Sequence, residues 1–407
     1  MEHPDILVIG AGIFGCAAAY YLKRDHPRLR VTVVDRQDWC NAATSRAAAL
    51  MTIVRAKTAF IPLSLETYAV IPELEHILGE TLPLHQVGII HVAQSAKTKQ
   101  DLHDLLKIAE EYHQPYQRLT PGEARDKAPW LSLAPDDTAV FMPREAFVDP
   151  YLLGTFFARA ARQLGAKFIL GEDIKSLKLH QGQITSAEGE RHRYTAHHFI
   201  LAAGVWSPLL ARLAGIHPPM APVRSQYWIT SRVERLFPAT SPMVILPDQQ
   251  AYARPENGGL LFGLREKKGF YRSPADLPSR LEEVVFSPDR GFGDLEENMN
   301  RLVTVFPDIL DVGIAHYVAG FSGYTPDNYL TLGQSPTCKN LSLAAGCVGA
   351  GISVSGGVGR ILAALAVQQP SPFEISAFAL DRFGEVDVFS EDWLKACSAA
   401  RALKESG

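Results

Sequence analysis

The chain begins its ordered pattern with four apolar residues, Ile6-Leu7-Val8-Ile9. Glycines follow, then Ile13 to Lys23 with apolar residues on a helical face, then Val31-Thr32-Val33-Val34. A short apolar run, a turn, a 3.6-residue period and a second apolar run predict strand, helix and strand, a βαβ unit. Farther on, Asp149-Pro150 supplies an N-cap and a first-turn proline, after which Leu152, Leu153, Phe156, Phe157 and Ala160 share one face as far as Gly165. That pattern predicts a helix closed by glycine. Phe168-Ile169-Leu170, a hairpin from Ile174 to Ser186 turning at Gln181-Gly182, and the strand His198-Phe199-Ile200-Leu201 then suggest a second nucleotide-fold half. A further helix is expected from about Val354 to Val367.

Other segments carry a different pattern. Gly88-Ile89-Ile90-His91-Val92, Gln226-Tyr227-Trp228-Ile229-Thr230, Ala251-Tyr252-Ala253-Arg254 and Leu260-Leu261-Phe262-Gly263 read as antiparallel strands, with Asn257-Gly258 as a tight turn. They alternate along the chain with the βαβ-type segments, so no single linker separates two bodies. The expected fold class is α/β with an α+β second part. A Rossmann-like domain of residues 1–85, 143–220 and 325–400 is interleaved with a substrate domain of residues 86–142 and 221–324, built on a mixed or antiparallel sheet.

Composition narrows the function classes. At 407 residues, 47% hydrophobic and 21% charged, the chain is long enough for two or three domains and unlike a coiled coil or a disordered chain. Lys and Arg total 40 against 44 Asp and Glu, so no basic excess is available for a nucleic acid backbone, and none is expected as partner. Cys16, Cys40, Cys338, Cys347 and Cys397 are scattered without a C-x-x-C pair, which argues for reduced thiols and against a structural metal site. Met1 to Asp5 lack a basic, secretory-type start, so the expected location is cytoplasmic. The stretch Leu341 to Gly359 is uncharged, but nine of its nineteen residues are Gly or Ser, too polar for a membrane span.

Gly10-Ala11-Gly12-Ile13-Phe14-Gly15 joins the first strand to the first helix, and Asp35 stands twenty residues after Gly15 at the end of the second strand. Gly10 allows the turn, Gly12 lets backbone approach a pyrophosphate, Gly15 allows close helix–strand packing, and Asp35 can accept from ribose hydroxyls. These features predict a dinucleotide site but do not choose between NAD and FAD. Thr44-Ser45-Arg46-Ala47-Ala48-Ala49-Leu50-Met51 favours FAD, since a small, hydroxyl-bearing loop there can follow a pyrophosphate and ribityl chain. Ala202-Ala203-Gly204-Val205-Trp206-Ser207 and Gly346-Cys347-Val348-Gly349-Ala350-Gly351-Ile352-Ser353 extend the expected cofactor contact, the latter placing a second helix N-terminus toward a reduced flavin.

These segments, in this order and with Asp35-Arg36, Thr325-Pro326-Asp327 and Leu332-Gly333, resemble the FAD-dependent D-amino acid oxidase superfamily, specifically its glycine oxidase and sarcosine oxidase branch. The resemblance implies a p-hydroxybenzoate hydroxylase-like arrangement, with FAD extended across the first domain and its ring at the interface with the substrate sheet. It places Ile174 where backbone meets adenine. In the sarcosine branch a cysteine just before Thr-Pro-Asp binds the flavin covalently, whereas Gly320-Phe321-Ser322-Gly323-Tyr324 offers none, so non-covalent FAD is expected. Cys347, within the Gly-rich run, could approach the flavin, but reads first as a small buried residue.

The resemblance also implies the reaction: oxidation of the C–N bond of an amino acid or related primary or secondary amine, by hydride transfer to flavin N5, with hydrolysis of the imine. Oxygen or an electron carrier would be the acceptor. Arg55 matches the arginine that holds the substrate carboxylate, or else it is solvated or paired with Glu66; Tyr252, Arg265 and Tyr324 match positions facing the ring. Two family anchors are absent: Ser322-Gly323-Tyr324 carries no arginine, and Ser353 stands where sarcosine oxidases have lysine. Arg55 or Arg265 would then act alone, or the substrate is not a simple small amino acid. Leu261 replaces the lysine that speeds reaction with oxygen. Oxidation of a 2-hydroxy acid, and a non-catalytic flavin-binding subunit of a larger complex, are the alternative readings; the oligomeric state is left open.

Overall fold

The computed structural model describes residues 1–266, 269–280, 283 and 286–403. The predicted βαβ unit forms from Ile6–Ile9, Ile13–Asp25 and Val31–Asp35. Every residue of Ile6–Ile9 is buried, as expected of a parallel strand covered on both faces. The expected second nucleotide-fold half does not form a unit of its own. Lys167–Leu170 pairs parallel to Val31–Asp35 on one side, and His198–Leu201 pairs parallel to Ile6–Ile9 on the other. Leu341–Ala345 continues the same sheet and Thr331–Gln334 closes it antiparallel, giving six strands. Their unbroken apolar runs need cover on both faces of one sheet, which helices give on one side and Ile174, Leu177, Ile184, Ala187 and Tyr194 help to give on the other, and that is why they merge.

Four helices form the layer on one face. Ile13–Asp25 packs against both Pro150–Gln163 and Ser355–Ala366, and Ile61–Leu78 packs against the latter two. Asp149 caps Pro150–Gln163 through the Leu152 N–H (2.9 Å), and Gly165 follows with φ 99°. The hairpin Ile174–His180 and Gln183–Gly189 turns at Gln181-Gly182, where φ is 51° and 72°.

The second sheet has eight strands. In spatial order they are Ile314–Tyr324, Ala221–Thr230, Gly259–Leu264, Ala251–Glu256, Met243–Leu246, Ile89–Ala93, Thr138–Met142 and Gln117–Leu119. All neighbours are antiparallel except Met243–Leu246 beside Ile89–Ala93, so the sheet is mixed. Asn257-Gly258 turns the central hairpin with φ 49° and 78°. The C-terminal helix Glu391–Ala402 lies outside the expected pattern and packs on Ala221–Thr230 and Ile314–Tyr324. Among the described residues no helix is long and apolar enough to cross a membrane.

Candidate active site

A cavity of about 470 Å³ runs from the end of the first βαβ unit to the face of the eight-stranded sheet. At its nucleotide end, Gly10 adopts φ 110°, and a Cβ there would lie 2.4 Å from the Ala202 carbonyl oxygen. Only glycine fits this turn. Gly15 does not border the cavity: a Cβ on it would strike the Gly10 carbonyl at 1.9 Å, so its task is helix–strand packing. Around Gly12 the space is open, the nearest atom to an added Cβ being Thr44 Oγ1 at 3.7 Å. Gly12 is also the N-cap of Ile13–Asp25 and provides no side-chain cap; Thr44 Oγ1 accepts from the Ile13 N–H at 3.2 Å. An open helix N-terminus with exposed glycine backbone suits a bound anion.

Asp35 borders the cavity, with Oδ2 accepting from the Ala11 N–H (2.7 Å) and Oδ1 from the Gln37 N–H (2.8 Å). Burial raises its pKa against these hydrogen bonds. Arg36 lies 4.1 Å over the Trp206 ring, and both border the cavity together with Ile174. Ala202, Ala203 and Gly204 form the adjoining wall, as do Ile13, Phe14, Thr44, Arg46, Ala49 and Leu50. Farther along stand Gly349, Gly351, Ile352 and Ser353.

Four other expected cofactor residues do not border the cavity. Ala11 is enclosed, its carbonyl accepting from the Cys40 N–H (2.8 Å). The Ser45 hydroxyl donates to the Ala42 carbonyl (3.2 Å), and Met51 is fully buried on a strand paired with Ala146–Val148. The Ala350 carbonyl accepts from the Ser353 hydroxyl (3.0 Å), supporting the loop from behind. Each holds the loop that presents its neighbours.

At the other end the sheet supplies the wall. The pairings Tyr227 to Gly263 and Gly263 to Tyr252, with Ser225 to Gly320, place Ser225, Tyr227, Tyr252, Gly263, Ser322 and Tyr324 on one face. Gly263 leaves room for the Tyr252 ring, whose Cζ would lie 2.1 Å from an added Cβ. Ser225 and Tyr324 hydroxyls are 3.4 Å apart, and the Ser322 hydroxyl is 3.0 Å from Cys347 Sγ. Burial raises the Tyr252 phenol pKa and pushes that of Tyr227 up to about 12. Arg265 and Arg401 also border this end. Every carboxylate lining the cavity, Asp35, Asp38, Glu172 and Asp173, belongs to the nucleotide end, and no described lining residue is a histidine.

Residues 5–365 match the family described as FAD dependent oxidoreductase. The chain belongs to that family. Dimethylglycine dehydrogenase of Mus musculus mitochondria is 24% identical over 392 residues, covering 94% of this chain and 44% of the mouse protein. Glycine oxidase of Geobacillus kaustophilus is 25% identical over 397 residues, covering 94% and 98%. This flavoprotein chain thus spans less than half the length of its dehydrogenase relatives and almost all of the oxidase. L-proline dehydrogenase from P.horikoshii shares the fold, with a TM-score of 0.82 and 22% identity over 95% of this chain and 100% of that one. The glycine and sarcosine oxidase branch indicated by the sequence is the one these relatives represent.

The cavity of this flavoprotein fits an extended dinucleotide, because the open Gly12 cradle and the half-buried, backbone-anchored Asp35 lie along one continuous space. Arg55 is placed differently from expectation. It does not line the cavity and has no contact with Glu66, which instead accepts from Tyr21 and Arg360. Its guanidinium donates to the Thr52 carbonyl (2.9 Å) and to the Ser353 hydroxyl (2.5 Å), fixing a cavity-lining residue from behind. Burial lowers its pKa to about 10, partly offset by Glu145. Sequence reasoning missed Ser225, Tyr227 and Arg401. The alternation Ser225-Gln226-Tyr227 on a strand was a usable signal for the first two. For Arg401, on a C-terminal helix far along the chain, there was none.

Proposed function

We propose that this chain oxidises the carbon–nitrogen bond of an amino acid or related primary or secondary amine. When bound, FAD supplies the two-electron acceptor for that oxidation. Gly12, Phe14 and Thr44 would hold its pyrophosphate, Asp35 and Ile174 its adenosine, and Gly349 to Ser353 its ring end. Residues 1–85, 143–220 and 325–400 would form this cofactor body and residues 86–142 and 221–324 the substrate body, a division supported by how the strands of the two large sheets are distributed.

The observation that carries the reading is the chemistry of the reacting end. It presents phenols and guanidiniums, all hydrogen-bond donors, and among the described residues neither imidazole nor carboxylate to take a proton. An amine arriving unprotonated needs no such base, whereas a hydroxy acid must lose its hydroxyl proton to some group. Oxidation of a 2-hydroxy acid is therefore the less favoured chemistry. Tyr252 and Tyr227 stay protonated at neutral pH and can orient the substrate; orientation is then the main contribution of the protein.

The test is anaerobic reduction of the bound flavin by a panel of N-methyl, D-, L- and cyclic amino acids and simple amines, with 2-hydroxy acids for comparison. Bleaching by amines alone supports the reading; bleaching by hydroxy acids alone overturns it. The pH dependence provides a second check. The apparent kcat/KM is expected to rise as the substrate amine loses its proton, with a midpoint that moves when the amine is changed. A midpoint fixed across amines would reveal a base on the enzyme.

A further inference from the structure

Resting on the amine-oxidation reading, we infer that Arg401 is the specificity-determining residue that receives a carboxylate of the substrate, so that the C-terminal helix forms part of the catalytic cavity. Arg401 lies in the last turn of Glu391–Ala402, is 4% exposed and lines the cavity beside Tyr252 and Tyr324. The helix that carries it is fixed at several points. Ser390 caps it through the Trp393 N–H (3.3 Å), Glu391 accepts from the Tyr271 hydroxyl (2.6 Å), and the Ala400 carbonyl accepts from Asn328 Nδ2 (2.7 Å).

Glu266, itself buried, positions the guanidinium by accepting from Nη1. Its other oxygen accepts from Arg224 Nη2 at 3.2 Å, and Arg224 also pairs with Asp294, which in turn accepts from Gln226 Nε2 at 2.9 Å. Glu266 is thus divided between two cations. Among the described residues the Arg401 side chain forms no hydrogen bond other than the one from Nη1, although a guanidinium carries five N–H donors. Tyr252 and Tyr324 lie within electrostatic reach of it and add two phenol donors. A wall of donors around a positioned guanidinium matches an anionic group with two coplanar oxygens.

Arg55, by contrast, stands behind the cavity wall and spends its donors on the Thr52 carbonyl and on the hydroxyl of the cavity-lining Ser353. Acids should accordingly bind in preference to their amides.

The test uses the flavin-loaded protein and calorimetric titration with benzoate and with benzamide. Wild type is expected to bind benzoate at least 30-fold more tightly than benzamide. Arg401→Gln should abolish that ratio while leaving flavin content unchanged, and Arg401→Lys should restore part of it. A wild-type ratio near one, or an unchanged ratio in Arg401→Gln, overturns the inference. If the Gln variant loses flavin, Arg401→Met is titrated instead, and an unchanged ratio there overturns the inference. This binding ratio does not depend on turnover, so failure of any amine to bleach the flavin would count against the reaction alone.

Discussion

Single atoms at one glycine and one carboxylate decide how the cavity holds its ligands. Gly263 lies between Tyr227 and Tyr252 on neighbouring strands, and the Tyr252 ring occupies the space its side chain would fill. Gly263→Val is expected to push the Tyr252 ring out of register and to weaken substrate binding by about tenfold. Flavin content should hold, and titration of the reduction rate against substrate concentration reads the effect. Asp35 is held by the Ala11 and Gln37 N–H groups, so its carboxylate is oriented before any ribose arrives. Asp35→Asn removes the charge from those hydrogen bonds. A loss of about 2 kcal/mol, or roughly 30-fold weaker FAD binding by fluorescence titration, is the expected outcome.

At the scale of elements, the glycine-rich segment before and within Ser355–Ala366 performs two tasks that look alike in sequence. Gly349 and Gly351 border the cavity. Gly356 and Gly357 instead meet Thr67 and Leu63 of Ile61–Leu78, where an added Cβ would lie 2.7 and 2.4 Å from Cα atoms. Gly359 meets Ala17 of Ile13–Asp25 at 2.5 Å. The helix therefore sits close against two others because it has no side chains there, a packing that leaves no space for larger residues. Gly359→Val is expected to destabilise the fold by about 3 kcal/mol, read as a lower urea midpoint at unchanged slope. Asp149→Ala, which removes only a cap, should cost about 1 kcal/mol in the same measurement.

At the scale of the whole molecule, burying titratable groups in the packed interior makes stability depend on pH. His91, in the eight-stranded sheet, and His198, in the six-stranded sheet, are desolvated, and their pKa values fall to about 4. The unfolded chain takes up these protons near pH 6.5, and the folded chain does not until about 4. Their contribution is therefore present above pH 6.5 and lost as pH falls toward 4, by up to about 3 kcal/mol each. Glu145 opposes this. Burial raises its carboxyl to about 7, so the folded state keeps a proton that the unfolded chain releases above about pH 4.5, and stability falls as pH rises through that range. The stability of His91→Leu relative to the parent should consequently improve steadily from pH 6.5 to pH 4, measured as the difference in urea midpoints.

Local pattern was enough to set the βαβ unit, the capped helix at Asp149, the turns at Gln181-Gly182 and Asn257-Gly258, and the dinucleotide cradle at Gly10 to Gly15. Each of these depends on residues within about thirty positions of one another, where periodicity, capping and backbone preference act directly. Whether His198–Leu201 founded a second half or joined the first sheet was not local, because identical apolar runs suit either arrangement until their neighbours are chosen. The same holds at the reacting end. Arg55 had the right neighbours in sequence but turned to Ser353, while Arg401 reached the cavity from a helix that no motif marks. The carboxylate site proposed here joins Tyr252, Glu266 and Tyr324 to Arg401, and the packing of helix Glu391–Ala402 on the eight-stranded sheet brings these distant positions together.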